Sequence, residues 1–318
     1  MLKKNPKIVL ISLSMLALVA MIAFMTLGIK GSWSFALPFR GVKLAAIVLV
    51  GFAIAVSTVL FQTVTNNRIL TPSIMGFDAL YILIQTVVVF FFGSTHLSWL
   101  GPNVMFGVEV LVMVIFAGVL YHWLFSGGMR SLHLVMLVGI VFGVLFRSFS
   151  NLMQRMIDPN EFAVLQDRFF ASFNTINSEI LAISAIAVAL ISLYGLRMLH
   201  IFDVLSLGRE ASINLGVDYR KVVNKILLMI TILVSVSTAL VGPVTFFGLL
   251  VANLAYQIAG SARHAVVLPV AILIAILCLV GGQVVLERVF AFNTALSVII
   301  EFLGGLVFIV LLIRGNKR

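Results

Sequence analysis

The sequence predicts an all-α, polytopic membrane protein with about ten transmembrane helices, and three observations carry that prediction. Of the 318 residues, 62% are hydrophobic and only 10% are charged, where a soluble domain carries about 25% charged residues. The apolar residues gather into roughly ten stretches, each close to the twenty or so residues a helix needs to cross the hydrocarbon core. The stretches at 104–125 and 265–286 are typical. Lipid offers the backbone no hydrogen-bond partner, so each stretch must be helical. The segments between them are too short for a soluble domain, and residues 1–318 read as one membrane domain.

The first expected span, 8–28, follows Lys3, Lys4 and Lys7. It lacks a small-residue cleavage site and reads as a retained helix that also targets the chain. Further spans are expected at 43–64, 74–93, 103–125, 133–151, 179–197, 222–241, 244–259, 265–286 and 295–313. Gly242 and Pro243 interrupt a run that is otherwise apolar from Val222 to Ala259, so an outer-side break is expected between two spans. Small residues such as Gly139 and Gly143 read as close helix packing.

Ten spans place both termini on one side. With the N-terminus inside, 14 Lys and Arg residues fall on the inner side and 7 on the outer side or at outer span ends. That bias places both ends in the cytoplasm. It also explains the net charge of +10 without nucleic acid, because the basic residues are scattered over loops. The single cysteine, Cys278, sits within an apolar stretch and has no intrachain partner.

Two loops are longer than a turn requires. The outer loop at 156–178 carries Asp158, Glu161 and Asp167. The inner loop at 198–221 mixes apolar residues with Gly208 and Gly216, a pattern of two short helices broken by turns. Apolar side chains facing the cytoplasm, among them Leu205, Ile213 and Leu215, point to a partner protein.

Chemistry of the enzymatic kind is missing. There is no Gly-Lys dipeptide, hence no phosphate-binding loop of the G-x-x-x-x-G-K-[ST] type. No Cys-x-x-Cys or paired-His metal spacing occurs. The five histidines, His96, His122, His133, His200 and His264, lie apart and read as structural or interfacial. The chain is therefore expected to be a transport component powered elsewhere, not an enzyme. Ionisable residues within spans are costly and call for a role. Asp78, Glu109 and Glu301 read first as buried pairs or as side chains snorkelling toward an interface, while Arg147, with Arg155 two turns on, is balanced between such a structural role and a polar route for solute.

Four segments in order resemble the FecCD family, the membrane permeases of bacterial importers for iron–siderophore, haem and vitamin B12. The run from Arg40 through Lys43 to Gly51 is similar to the family's R-x-P-R start of the second helix, with Val42 and Lys43 substituted. Gln62 through Asn67 to Pro72 and Gly76 resembles Q-x-x-x-x-N-P-L-A-x-P-x-x-L-G, with Arg68 in place of Pro. Asp203 to Ala211, then Leu215-Gly216-Val217, resembles the cytoplasmic coupling segment, 199–221. Gly242 to Val251 is similar to G-P-I-x-F-V-G-L-x-x-P-H, with Ala252-Asn253 in place of Pro-His.

The resemblance implies a permease that pairs with a second, identical or non-identical permease. It implies cytoplasmic ATPase subunits that bind and hydrolyse ATP, this chain binding no cofactor or metal itself. It also implies a periplasmic or lipid-anchored solute-binding protein. The cargo would be a ferric siderophore, most like the catecholate type from the Asn-Arg-Ile-Leu-Thr-Pro variant, crossing the bacterial inner (plasma) membrane. Haem or cobalamin remains an alternative cargo, and a secondary transporter an alternative class. On this reading Asp203, Leu205, Leu207, Gly208, Glu210, Ala211, Leu215 and Gly216 meet the ATPase. Arg40, Lys43 and Arg288 meet the binding protein. Arg147, Arg155, Gln62, Asn67 and Pro243 belong to the translocation pathway.

Overall fold

The computed structural model describes residues 5–29, 32–126, 132–292 and 294–315. Lys3, Lys4, Lys30, Arg130, Lys317 and Arg318, all used in the orientation count, lie outside them. Every regular element among the described residues is helical: α1 (Pro6–Thr26), α2 (Trp33–Thr65), a single 3-10 turn (Pro72–Met75), α3 (Phe77–Ser126), α4 (Leu132–Gln154), α5 (Pro159–Asp167), α6 (Ser178–Leu196), α7 (Leu199–Leu205), α8 (Arg209–Asn214), α9 (Tyr219–Val241), α10 (Phe247–Ile258), α11 (His264–Arg288) and α12 (Leu296–Gly315).

Each of the ten apolar stretches is occupied by helix. Among the described residues, seven helices are long and apolar enough to cross a membrane: α1, α2, the arm Gly101–Tyr121 of α3, α4 over Met136–Gln154, α6, α9 and α11. Three shorter apolar helices, Phe77–Gly93, Phe247–Ile258 and Leu296–Leu306, fill the remaining stretches. Third and fourth stretches merge into α3, whose backbone leaves helical geometry at Gly93 (φ 72°) and Gly101 (φ 70°). α10 has 12 residues, about 18 Å at 1.5 Å per residue, too short to span alone. Phe247 to Ala252 are all buried, so protein covers it, the setting in which incomplete helices are tolerated in a bilayer.

The core is built on α2 and α9. Consecutive residues Ser57 to Thr65 of α2 are buried, as are Ile230, Thr231 and Leu233 to Thr238 of α9, a helix covered on all sides. α1 and α6 show the opposite pattern, with Ile11, Met15, Leu16, Ile186, Leu190 and Leu193 exposed as befits lipid-facing helices. The expected small-residue packing is present. A Cβ added at Gly139 would come within 3.0 Å of the Met75 backbone, and one at Gly76 within 3.0 Å of Gly143. The 3-10 turn thus lies directly on α4.

α2 and α11 run antiparallel, and a polar clasp closes each end of the pair. At one end Lys43 Nζ lies 3.6 Å from Glu287. At the other, Thr63 Oγ1 lies 2.7 Å from His264 Nε2. These two ends define the faces on which the candidate sites sit.

Candidate functional site

The break after α9 forms as the sequence expects. Gly242 adopts φ 98°, and a Cβ there would meet the Phe170 carbonyl at 3.1 Å. The chain then turns through Pro243 and Thr245 into α10. This turn, with α3, α4 and α12, borders an open cleft of about 400 Å³ lined by Asp78, Arg147, Asn151, Gln154, Pro243 and Glu301. Thr245 donates to Asp78 Oδ2 at 2.9 Å. One guanidinium and two carboxylates therefore share a space otherwise walled by Ile82, Phe169 and Phe170. Such a space can hold a polar, charged solute inside an apolar span.

The structure joins Arg147 and Pro243 in this cavity but separates the other candidates from it. Arg155 is exposed at the end of α4. Gln62 and Asn67 lie at the far end of α2 and build a turn. Gln62 Nε2 donates to the Arg68 carbonyl at 2.8 Å, and Asn67 Oδ1 accepts from Ile69 N–H at 3.0 Å. Asn66, in the left-handed region at φ 49°, lets the chain reverse there. Glu109 is a buried partner, as read from sequence: Gln85 Nε2 donates to it at 2.6 Å, and Arg168 donates to Gln85 Oε1 at 3.1 Å. Asp78 and Glu301 instead face the cavity.

Arg40, Lys43 and Arg288 are brought to one end of the bundle. Arg40 Nη1 donates to the carbonyls of Phe24 and Leu27 at 2.8 Å each, and Arg288 Nη2 donates to the same Leu27 carbonyl. Both guanidinium groups thus cap the C-terminal end of α1, where the helix dipole favours cations. Lys43 differs. It is 6% exposed, donates to Asn174 Oδ1 at 2.9 Å and pairs with Glu287. It is a clasp between α2 and α11 rather than a charge on the rim, because it lies on the buried side of α2 and its ammonium meets Glu287 and Asn174. Arg40 and Arg288 remain accessible.

At the opposite end, the loop between α6 and α9 folds into the two expected short helices, α7 and α8. Gly208 at φ 96° and Gly216 at φ 84° make the turns. Ser212 Oγ ties the helices together by donating to the carbonyls of Gly208 at 2.6 Å and Val204 at 3.0 Å, both acceptors sharing its one proton. Leu207, Glu210, Leu215 and Gly216 are exposed, with Ile213, and Ala211 is half-buried. Leu205 is 1% exposed and so anchors α7 from beneath instead of meeting a partner. Asp203 also turns inward. Its Oδ1 accepts from the backbone N–H of His264 at 2.7 Å and lies 2.7 Å from the ring Nδ1. Burial would raise the Asp203 carboxyl, but the backbone and side-chain hydrogen bonds from His264, with the charge of Arg263 nearby, outweigh it and hold the group below its ordinary value.

His264, read from sequence as structural or interfacial, is a helix-end residue whose partner Asp203 the sequence did not name. The sign of it was a missing cap. Arg263, which precedes α11, makes no side-chain cap bond, so the α11 N-terminus needs an acceptor from elsewhere. Asp203 supplies it from across the fold.

Residues 8–314 match the model of the FecCD transport family. The chain is 53% identical over 287 residues to the petrobactin import system permease protein YclO of Bacillus subtilis (strain 168), covering 90% of this chain and 91% of that one. It is 38% identical over 275 residues to the petrobactin import system permease protein FatC of Bacillus anthracis, covering 86% and 78%. The fold superposes with a TM-score of 0.83 on the structure of a metal-chelate type ABC transporter in an inward-facing conformation, at 21% identity and covering 97% and 99% of the two chains. Coverage from the first helix to the last, with a close full-length relative, establishes that this multi-pass membrane chain belongs to the FecCD transport family.

Proposed function

We propose that the chain is the permease subunit of an ATP-driven importer that carries a ferric siderophore inward across the plasma membrane. The observation that carries this reading is the 53% identity, over nearly the full length of both chains, to a permease named for petrobactin import. A second relative carries the same cargo in its name, which favours siderophore over haem or cobalamin.

All ten apolar helices span or enter the bilayer on this reading, and both termini are cytoplasmic. The exposed side of α7 and α8 meets the cytoplasmic ATPase subunits, which hold the ATP. Arg40 and Arg288 meet the solute-binding protein on the outer face. The cavity around Arg147 is part of the pathway. Arg147 is exposed in the single chain, two turns before the end of an apolar helix, where lipid contact is costly. α4 and α12 flank the cavity and show Leu137, Val141, Val144, Phe302 and Leu306 outward. A second permease laid on this face removes both the charge and the apolar residues from lipid.

The test is uptake of iron-55 as its petrobactin complex into cells lacking their own permease and supplied with this chain, its ATPase and its binding protein. Uptake that requires this chain supports the reading. Uptake of haem or cobalamin but not of the siderophore complex contradicts the cargo.

A further inference from the structure

We propose that His264 is a positioning residue that carries movement of the α7–α8 segment into the membrane core, through the continuous polar link Asp203–His264–Thr63. The proposal rests on the reading of α7 and α8 as the ATPase contact.

The link joins three elements that are far apart in sequence. α7 supplies Asp203, the first residue of α11 supplies His264, and the last two turns of α2 supply Thr63. All three bonds across it measure 2.7 Å. The proton count fixes its Asp203 end. A carboxylate only accepts, so His264 Nδ1 carries a proton toward Asp203. Thr63 has one hydroxyl proton and three acceptors within reach, His264 Nε2, the Val59 carbonyl at 2.8 Å and the Tyr256 hydroxyl. With that proton on the His264 side, the neutral imidazole is held at both nitrogens, and its ring is fixed between α7 and α2.

The surroundings make the link stiff. His264 is 2% exposed and Thr63 5% exposed. Phe202 of α7 stands edge-on to the imidazole with centroids 5.9 Å apart. Thr63 is followed by the turn at Asn66 and Asn67 that leads into the Pro72–Met75 helix, and that helix lies on α4 beside the cavity. A push on α7 therefore reaches the cavity wall through two hydrogen-bonded contacts and one hydrogen-bonded turn. Coupling of this kind needs contiguous packed or bonded elements, and this route supplies them. Apolar packing of Phe202 and Leu205 is the competing route.

The experiment uses the full complex of permeases, ATPase and binding protein in proteoliposomes, and measures ATP hydrolysed per siderophore complex imported. Thr63→Val removes the hydroxyl at constant shape. His264→Asn keeps a donor toward Asp203 and drops the contact to Thr63. Each is expected to raise the ratio roughly 5- to 30-fold, the effect of one or two lost hydrogen bonds, with hydrolysis retained. The double variant is expected to be no worse than either single one, since both cut the same link. Thr63→Ser should restore the normal ratio. An unchanged ratio in both single variants, or transport and hydrolysis falling together, would overturn the proposal. Should either variant express poorly, the ratio in the other decides, because it is independent of the amount of protein. A wild-type complex that imports no siderophore speaks against the assigned cargo and not against the link.

Discussion

Asn253 Nδ2 donates to the Arg68 carbonyl at 3.1 Å, so the two positions at which this chain departs most plainly from the FecCD motifs meet in space. Arg68 stands where the family has Pro, and Asn253 where it has His. The same Arg68 carbonyl also accepts from Gln62, and the Arg68 guanidinium lies 4.5 Å from the Tyr256 ring centroid. The two residues form a joint between the α2 turn and α10. Asn253→Ala should cost about 1 kcal/mol, the usual net value of such a bond. A thermal-unfolding midpoint in detergent that does not move would count against the joint.

The Lys43–Glu287 pair is buried, with side chains 7% and 14% exposed. Removing one partner leaves a charge in a poorly solvated place. Glu287→Ala should therefore destabilise by roughly 3 kcal/mol, while replacing both residues with Met should recover most of the loss. Equal stability of the single and double variants would contradict a pair closed on itself.

Arg147 predicts a functional rather than a structural defect. No salt bridge within 4.0 Å holds it among the described residues, so Arg147→Gln should leave expression and thermal stability unchanged. Uptake should fall tenfold or more if the guanidinium offsets the charge of an anionic complex, a loss of about 1.4 kcal/mol. A parallel fall in protein level would assign Arg147 to structure.

The coupling segment separates two classes of residue. Leu207 and Leu215 are exposed, at 63% and 62%, so changing either to Asp should weaken ATPase binding without unfolding the permease. Leu205 is buried, so Leu205→Ala should cost about 2–5 kcal/mol of stability. Pull-down of the ATPase together with a melting curve distinguishes them, and the reverse pattern would place the contact elsewhere. Asp203 adds a pH dependence. Its folded value is lowered, so its contribution is complete at neutral pH and is lost only as pH falls below the ordinary value of 3.8.

Much of this architecture was legible in the sequence because lipid enforces helix on every apolar stretch. The break at Gly242 and the two short helices around Gly208 followed from glycine and proline positions. What the sequence could not express was which helix ends meet. Arg40 and Arg288 converge on Leu27, and Thr63 meets His264, only because α2 and α11 pack antiparallel. Periodicity says nothing of such neighbours. Lys43 and Leu205 were misjudged for the same reason, since hydropathy does not tell an inward face from an outward one on a short segment. Gln62 and Asn67 were motif residues, and the structure places both in a turn at the end of α2.

The most direct test of the central claim is import by the reconstituted complex. Proteoliposomes holding this permease, its ATPase and its binding protein should accumulate iron-55 petrobactin when ATP is supplied on the ATPase side, and should fail to do so when the permease is omitted. Accumulation that runs without ATP, driven by an ion gradient alone, would contradict the account.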